Sequence, residues 1–263
     1  MSVCAAKVRN ALAEEGIPWD GVHLDLRAGD AQRPEYVKLN PNQVVPTLVH
    51  EGAVVIESNI ILEYIEDRWP QTPLRPADPP AAARMRMWMK QLDDEVHMAT
   101  SNLSTCVAFR HQHLNKKPED VQSWLVNMVD PTRRARMQAA IELGLDAPQF
   151  AAAVRRFERL LDDFERTLAN CKWLAGDSYS LADIAFSPYM IRLRHLGFDA
   201  RLAARPHVVE WAERLFAARG YREGVEKWLN PAYLELFARE SPAARARIEQ
   251  MTTTASPTRC RRP

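Results

Sequence analysis

The chain has 263 residues, with 35 Lys and Arg against 34 Asp and Glu and a formal net charge of +1. Charge this balanced excludes the global field of a nucleic-acid or anionic-membrane binder, and charged residues interrupt every apolar run well short of the ~20 residues of a membrane span. Nine glycines against 18 prolines, with no GxGxxG or Walker A pattern, exclude a glycine-rich phosphate loop. Cys4, Cys106, Cys171 and Cys260 are widely spaced, with no CxxC and no His cluster. They read as reduced thiols of a cytoplasmic protein, with no metal site and no disulfide frame. The N-terminus lacks the basic and apolar regions of a signal peptide.

The first element begins at once. Val3, Val8, Leu12 and Ile17 lie close to helical spacing, and Gly16 supplies the stop. VHLDL, residues 22–26, alternates apolar and polar residues and predicts a strand. Pro34 to Leu39 predicts a short helix closed by the NPN of residues 40–42. VPTLVHEGAVVIE then predicts two short strands around Glu51-Gly52. Ser58 is placed to cap a helix that ends at Trp69-Pro70.

Five prolines in residues 70–80 predict a semi-rigid linker. From Ala81 the pattern is almost wholly helical. Residues 111–146 read as a helical hairpin or an insert. In residues 147–169, Phe150, Val154, Phe157, Leu160, Leu161, Phe164 and Leu168 share one helix face. Further helices run to Gly197, from Pro206, and from Tyr221 to Leu229, the last and shortest. The expected fold is thus α/β followed by all-α. A thioredoxin-like unit occupies residues 1–69, a linker 70–80, a helical unit 81–240 and a flexible tail 241–263.

Four places carry candidate chemistry. Pro46, at the start of a strand after Asn-Pro-Asn, fits a cis peptide that frees the Val45 main chain to pair with an extended peptide. It equally fits a trans proline opening an edge strand. Glu57-Ser58, at a strand-to-helix junction, fits an α-amino-acid head group, Ser58 with the helix N–H groups taking a carboxylate and Glu57 an ammonium. It also fits an ordinary N-cap. Ser2, as cap of the first helix, sits where a thiol would be acidified, from ~8.5 to roughly 6–7 given a charge-assisted hydrogen bond and the helix end. Cys4, one turn in, fits either a low-pKa thiolate or a small buried hydrophobe. Ser180 and Asp183 form a capping box in Ser-Leu-Ala-Asp, a structural motif. His97, His111 and His113 read as solvent-facing, and Arg133, Arg134 and Arg136 as a solvated loop.

SxCxxKVRxALxEEG, LNPxxxVPTL, the Glu-Ser pair before a helix and WLAGDSYSLADIAF occur here in that order. Together they resemble the cytosolic glutathione transferases over roughly residues 2–230. The resemblance implies a thioredoxin-like domain that binds glutathione as co-substrate, a helical domain that shapes the electrophile site, and a homodimer. It implies that Pro46 is cis and that Val45 pairs with the cysteinyl part of glutathione. Glu57 and Ser58 would take the γ-glutamyl end, and Ser2 the thiolate. Gln43 stands one position before the place, here Val44, where the family usually has a Gln or Lys that helps bind the tripeptide. The Ser-Val-Cys spacing is similar to the zeta class and the bacterial tetrachlorohydroquinone reductive dehalogenases, in which a Ser and a Cys two residues later both sit at the active site. LRPADPxxxARMRMWxKxxDD, residues 74–94, is similar to bacterial β-aryl etherases.

The family also has a strand before the Ser. Without it, Met1 reads as an internal methionine taken as a start, and the strands near 22–26 and after Pro46 lose a ladder partner. The first reading is therefore an enzyme in which glutathione attacks an aromatic or activated electrophile, with Cys4 able to resolve a glutathionyl intermediate. The second is a non-catalytic binding protein of the same fold, or a truncated inactive form. The expected partners are glutathione and a small, hydrophobic, aromatic electrophile, with neither nucleic acid nor membrane.

Overall fold

The computed structural model describes residues 1–253. Helix α1 (Val3–Glu15) starts where the Ser2 hydroxyl accepts the Ala5 N–H at 3.3 Å. It ends at Gly16, whose φ of 71° is a left-handed conformation that glycine adopts without a Cβ clash. A short α2 (Pro34–Val37) follows, and strands β1 (Thr47–His50) and β2 (Ala53–Ile56) form an antiparallel hairpin. Glu51 and Gly52, both at positive φ, make its two-residue turn, whose handedness suits the twist of paired strands. Helix α3 (Ser58–Arg68) leads into the proline-rich segment.

The expected strand at residues 22–26 does not form. Among the described residues the hairpin is the only ladder, so residues 22–26 have no strand neighbour, and the Asp25 main chain bonds to Asp30 in a turn. Val22 is 87% exposed. The segment is pinned by side chains instead, with Trp124 Nε1 donating to the Leu26 carbonyl and Lys116 to that of Arg27.

A nearly unbroken helical run begins two residues earlier than expected. It comprises α4 (Pro79–Gln91), a π-turn over Leu92–Val96, α5 (His97–Ser104), a second π-turn over Thr105–Phe109, and α6 (Arg110–Leu114). Pro79 enters the first turn because its missing N–H has no intrahelical partner to lose, and Asp78 caps that turn through the Ala81 N–H. Then come α7 (Pro118–Val126), α8 (Pro131–Leu143), α9 (Pro148–Leu168), α10 (Leu181–His195), α11 (Asp199–Ala203), α12 (Pro206–Ala217), α13 (Arg219–Gly224) and α14 (Pro231–Thr253). Arg133, Arg134 and Arg136 lie on α8 rather than on a loop. Arg134 donates to the Val126 and Met128 carbonyls.

The expectation of a last short helix at 221–229 and a loose tail from 241 is corrected by α14. Its Leu236, Phe237, Ala244 and Ile248 are buried against the core at helical spacing. Of the Arg-, Thr- and Pro-rich composition that suggested a tail, Arg245 and Arg247 lie on this helix and pair with Asp199 and Asp146. Residues 254–263, including Cys260, lie outside the described residues.

The apolar face expected on α9 is buried throughout, and Phe164 meets Trp88, Phe186 and Trp211 at ring distances of 5.2, 4.9 and 5.0 Å. Helix α10, buried nearly all round, is the central rod. Its start is built on Asp183, which is fully buried. One carboxylate oxygen accepts Ser180 N–H and Oγ–H, and the other accepts Leu174 N–H and Trp211 Nε1–H. Burial pushes the Asp183 pKa up and these four donors oppose it, leaving it raised.

Helix α1 packs on α3, α10 and α13. The α1–α13 contact is close: a Cβ on Gly224 would lie 2.3 Å from the Arg9 carbonyl oxygen. Between the α/β and helical units, Leu74 is held at both its main-chain groups. Its N–H goes to Glu66 and its carbonyl receives the Leu181 N–H.

Candidate active site

The loop before β1 is fixed by two side chains. Asn40, fully buried, and Tyr36 both donate to the Val44 carbonyl, at 2.8 and 2.6 Å, and the Tyr36 hydroxyl also meets Thr47 Oγ1 at 2.8 Å. Between these anchors the Val45-Pro46 peptide is cis. The Val45 N–H and C=O make no hydrogen bond within the described residues. Gln43, at φ 55°, is turned by the same loop, its N–H bonded to the Asn40 carbonyl.

Register brings the next two candidates to the same place. Thr47 faces Ile56, so Pro46 and Glu57 leave the hairpin at one end. Glu57 is exposed and sits at φ 67°, where a non-glycine residue is strained. Ser58 does not cap α3: Glu57 holds the cap position, with no side-chain cap bond, and Ser58 is the first helical residue. The first N–H groups of α3 are therefore not closed off by a side chain, and such a helix end favours an anion.

Helix α1 brings its two candidates to different surroundings. Ser2 lines a small cleft with Arg9, Arg192 and His195. Cys4 turns toward the helical unit. Its Sγ lies 3.4 Å from His97 Nδ1 and 3.7 Å from the Tyr189 hydroxyl, and those two are 3.1 Å apart. The Ser58 hydroxyl is near enough to Cys4 to favour its ionised form. Burial alone would push the Cys4 thiol up. The His97 charge and hydrogen bond, the Lys7 charge and the Ser58 hydroxyl outweigh it and bring the pKa down to about 6. For His97, burial lowers the pKa but the Cys4 charge raises it further, leaving it above the ordinary imidazole value. Cys106, by contrast, is pushed up to about 12 by burial.

Lys7 is fully buried, with its ammonium 2.7 Å from Asn59 Oδ1 and 3.9 Å from Asp93. Burial lowers its pKa, while Cys4, Asp93 and Glu57 oppose that. Asn59 passes the contact on to the Met89 carbonyl, tying α1, α3 and α4 together under the site.

The expectation of solvent-facing histidines is overturned. His97 is half-buried against Cys4. His113 is 3% exposed and packs on Trp124 at 4.4 Å, and His111 reaches Glu240 at 3.2 Å. A signal for His97 existed: it stands beside the buried stripe Met89, Leu92 and Val96 and follows a π-turn, an irregularity frequent at functional sites.

Comparison with known proteins bears on this arrangement. Residues 1–67 match the glutathione S-transferase N-terminal domain and residues 132–218 the C-terminal domain. Tetrachloro-p-hydroquinone reductive dehalogenase of Sphingobium chlorophenolicum is 30% identical over 230 residues, covering 84% of this chain and 91% of that protein. The chain belongs to the glutathione S-transferase family. Protein LigF of Sphingobium sp. strain SYK-6 is 28% identical over 236 residues, covering 82% of this chain and 86% of that one. The crystal structure of beta-etherase LigF superimposes with a TM-score of 0.76 at 27% identity, over 84% of this chain and 93% of LigF. The family assignment carries the fold, a thioredoxin-like unit followed by a helical one. It also favours the enzyme, with glutathione as co-substrate, over a non-catalytic binding protein. No described helix is long and apolar enough to cross a membrane.

Proposed function

We propose that this glutathione transferase holds the tripeptide across the open end of the hairpin and turns its thiolate on an aromatic electrophile. The observation that carries the reading is the convergence at that end: the unpaired Val45 main chain, Glu57 at positive φ, and the start of α3 without a side-chain cap. An extended peptide supplies a partner for each. Its cysteinyl main chain pairs with Val45 beside Pro46. Its γ-glutamyl carboxylate meets Ser58 and the α3 N–H groups, and its ammonium meets Glu57, with Gln43 at the edge. Ser2 donates to the thiolate.

In the first step the glutathione sulfur attacks the carbon that bears a leaving group. A carbon–sulfur bond forms, and halide or aryloxide departs with the bonding electrons. The rate comes from the lowered thiol pKa and from proximity. The named activities of LigF and of the dehalogenase, ether cleavage and reductive dehalogenation, are the two outcomes to test.

Where the product is reduced, Cys4 performs a second step. Its thiolate attacks the sulfur of the glutathionyl–aryl bond, forming a mixed disulfide. The aryl carbon leaves with the electron pair and takes a proton. A second glutathione thiolate then cleaves the mixed disulfide, giving glutathione disulfide and restoring Cys4.

We also place the enzyme in the cytoplasm as a homodimer. The free Cys4, Cys106 and Cys171 support the first, and family membership supports the second.

The test is a glutathione titration followed by thiolate absorbance near 240 nm at several pH values, then turnover of an aryl ether and a chlorinated hydroquinone. Saturable binding with a thiolate pKa well below that of free glutathione supports the reading. Absence of binding overturns it. Cys4→Ser abolishes reduction and spares ether cleavage; unchanged reduction removes Cys4 from the mechanism.

A further inference from the structure

We propose that His97, set by Tyr189, is the positioning residue that holds Cys4 as a thiolate, so that the helical unit supplies the counter-charge for a nucleophile on the first helix. The proposal rests on reading Cys4 as the nucleophile of the second step, but its own content is an ion pair that can be measured without turnover.

The geometry is a triangle of three heteroatoms: Sγ, Nδ1 and the Tyr189 hydroxyl oxygen, at 3.4, 3.7 and 3.1 Å. With Cys4 ionised and His97 protonated, Nδ1–H and the tyrosine O–H both point donors at one anion, and hydrogen bonds to a charged acceptor are the strong ones. With both neutral, the sulfur is left as either a weak S–H donor or a weak thiol acceptor. The ion-paired form is therefore the better-bonded occupant of the same three positions. Tyr189 is 1% exposed on the central rod α10, and its own ionisation is pushed well up by burial. It stays a neutral donor to Sγ, and its oxygen, 3.1 Å from Nδ1, orients the protonated ring as an acceptor.

The remaining groups around Cys4 act in the same sense. Lys7 on α1 adds positive charge and Ser58 on α3 a hydroxyl. Asp93, in the π-turn before α5, favours the protonated imidazole, while Lys7 opposes it. Glu57 acts on Lys7. None of these other than His97 is both in hydrogen-bond reach of Sγ and able to change charge near neutrality. The imidazole is thus the group whose loss moves the thiolate most.

The mechanism gains a stored thiolate that needs no base when the glutathionyl intermediate arrives. It gains an imidazolium positioned near the bond being broken. The pair also joins α1 to α5 and α10, so the nucleophile is set only when the two units are docked.

The experiment is the absorbance of the Cys4 thiolate at 240 nm against pH, taken as wild type minus Cys4→Ser so that the other cysteines cancel. The wild-type midpoint is expected near 6. His97→Ala raises it by about one pH unit or more, Tyr189→Phe raises it by less, and added imidazole restores the His97→Ala midpoint, which a merely structural role of the ring would not allow. Should His97→Ala fail to fold, the reciprocal measurement stands in its place. The His97 imidazole, followed by NMR, titrates lower in Cys4→Ser than in wild type. An unchanged midpoint in folded His97→Ala, or an unchanged His97 titration in Cys4→Ser, overturns the proposal. A Cys4→Ser enzyme that still reduces its substrate, with these titrations as expected, removes Cys4 from the reaction and leaves the ion pair standing.

Discussion

Two helices in this protein start next to a residue suited to capping, and they start in opposite ways. At α10 every donor in reach is used: Ser180 N–H and Oγ–H, Leu174 N–H and Trp211 Nε1–H all end on Asp183, in the dry centre of the helical unit. At α3 the cap residue Glu57 makes no cap bond, sits at φ 67° and is exposed, while Ser58 has slipped one position into the helix and turned toward Cys4. A closed cap stabilises. An open one stores strain and leaves donors free for an anionic ligand. The same pair of groups, hydroxyl plus carboxylate at a helix start, is spent on folding at α10 and, in the function we propose, kept for binding at α3.

The largest effect is expected at the closed end. Asp183→Ala leaves buried donors without an acceptor, each at about 1–3 kcal/mol. A loss of about 3 kcal/mol or more follows, seen as a Tm drop on the order of 10 °C. The capping box by itself predicts a loss of ~1 kcal/mol or more. A loss of only ~1 kcal/mol would mean that Leu174 and Trp211 find other partners, and the contrast between the two helix starts would shrink with it.

Next comes Ser2, a third helix start, which caps α1 and for which we propose the thiolate-binding role as well. Its hydroxyl oxygen accepts the Ala5 N–H, and its proton remains free for the glutathione sulfur. Ser2→Ala should cost about 1 kcal/mol of stability from the lost cap. It should cost 10- to 100-fold in kcat/KM, from ~1.5–3 kcal/mol of hydrogen bonding to a charged sulfur. Denaturant melts and steady-state kinetics on the same preparation separate the two. An equal loss in both would make Ser2 a cap and nothing more.

What was legible in the sequence divides along the same line. Local chemistry was readable: Gly16 as a stop, Glu51-Gly52 as a hairpin turn, the Ser180–Asp183 box and the α9 stripe all depend on neighbours within a turn or two. Strand VHLDL was misread because a strand exists only beside another, and alternation does not say whether a partner is there. Helix α14 was misread because its composition is polar, while the few residues that bury it are spread over three turns. The Cys4 cluster was half legible. Cys4 and Ser58 come from recognisable motifs, but His97 and Tyr189 lie 93 and 185 residues from Cys4 in the chain. No spacing rule joins them; only the docking of α1 onto α5 and α10 does.

The open end predicts opposite signs for stability and binding. Glu57→Gly removes a side chain from a backbone conformation that suits glycine, so stability should hold or rise by up to about 1 kcal/mol. The same change removes the carboxylate offered to the γ-glutamyl ammonium, so the glutathione affinity should fall roughly tenfold. Thermal melts with and without glutathione read both. A protein that melts several degrees lower without ligand would show that Glu57 is a structural cap after all, and the comparison with α10 would lose its point.

The smallest effect is expected at the other end of α1, where a carboxylate sits against the negative pole of a helix instead of at its start. Glu15 is the last residue of α1. Burial, with the neighbouring charge of Glu66, raises its pKa to about 7, against an ordinary 4.5, while a main-chain bond from Thr72 works the other way. A carboxyl whose pKa rises on folding holds its proton more tightly in the folded chain. Its contribution to stability is therefore complete below the unfolded value and is lost as pH climbs through the folded one. Glu15→Gln removes that titration. The Tm of the variant relative to wild type should climb between pH 4.5 and about 7 and level off above. Because the group is only partly buried, solvent screening should keep the gain small. A difference that instead fell with rising pH would mean that the ionised Glu15 is stabilised by a partner. Acid at the end of a helix would then be tolerated as well as it is at the start of α10.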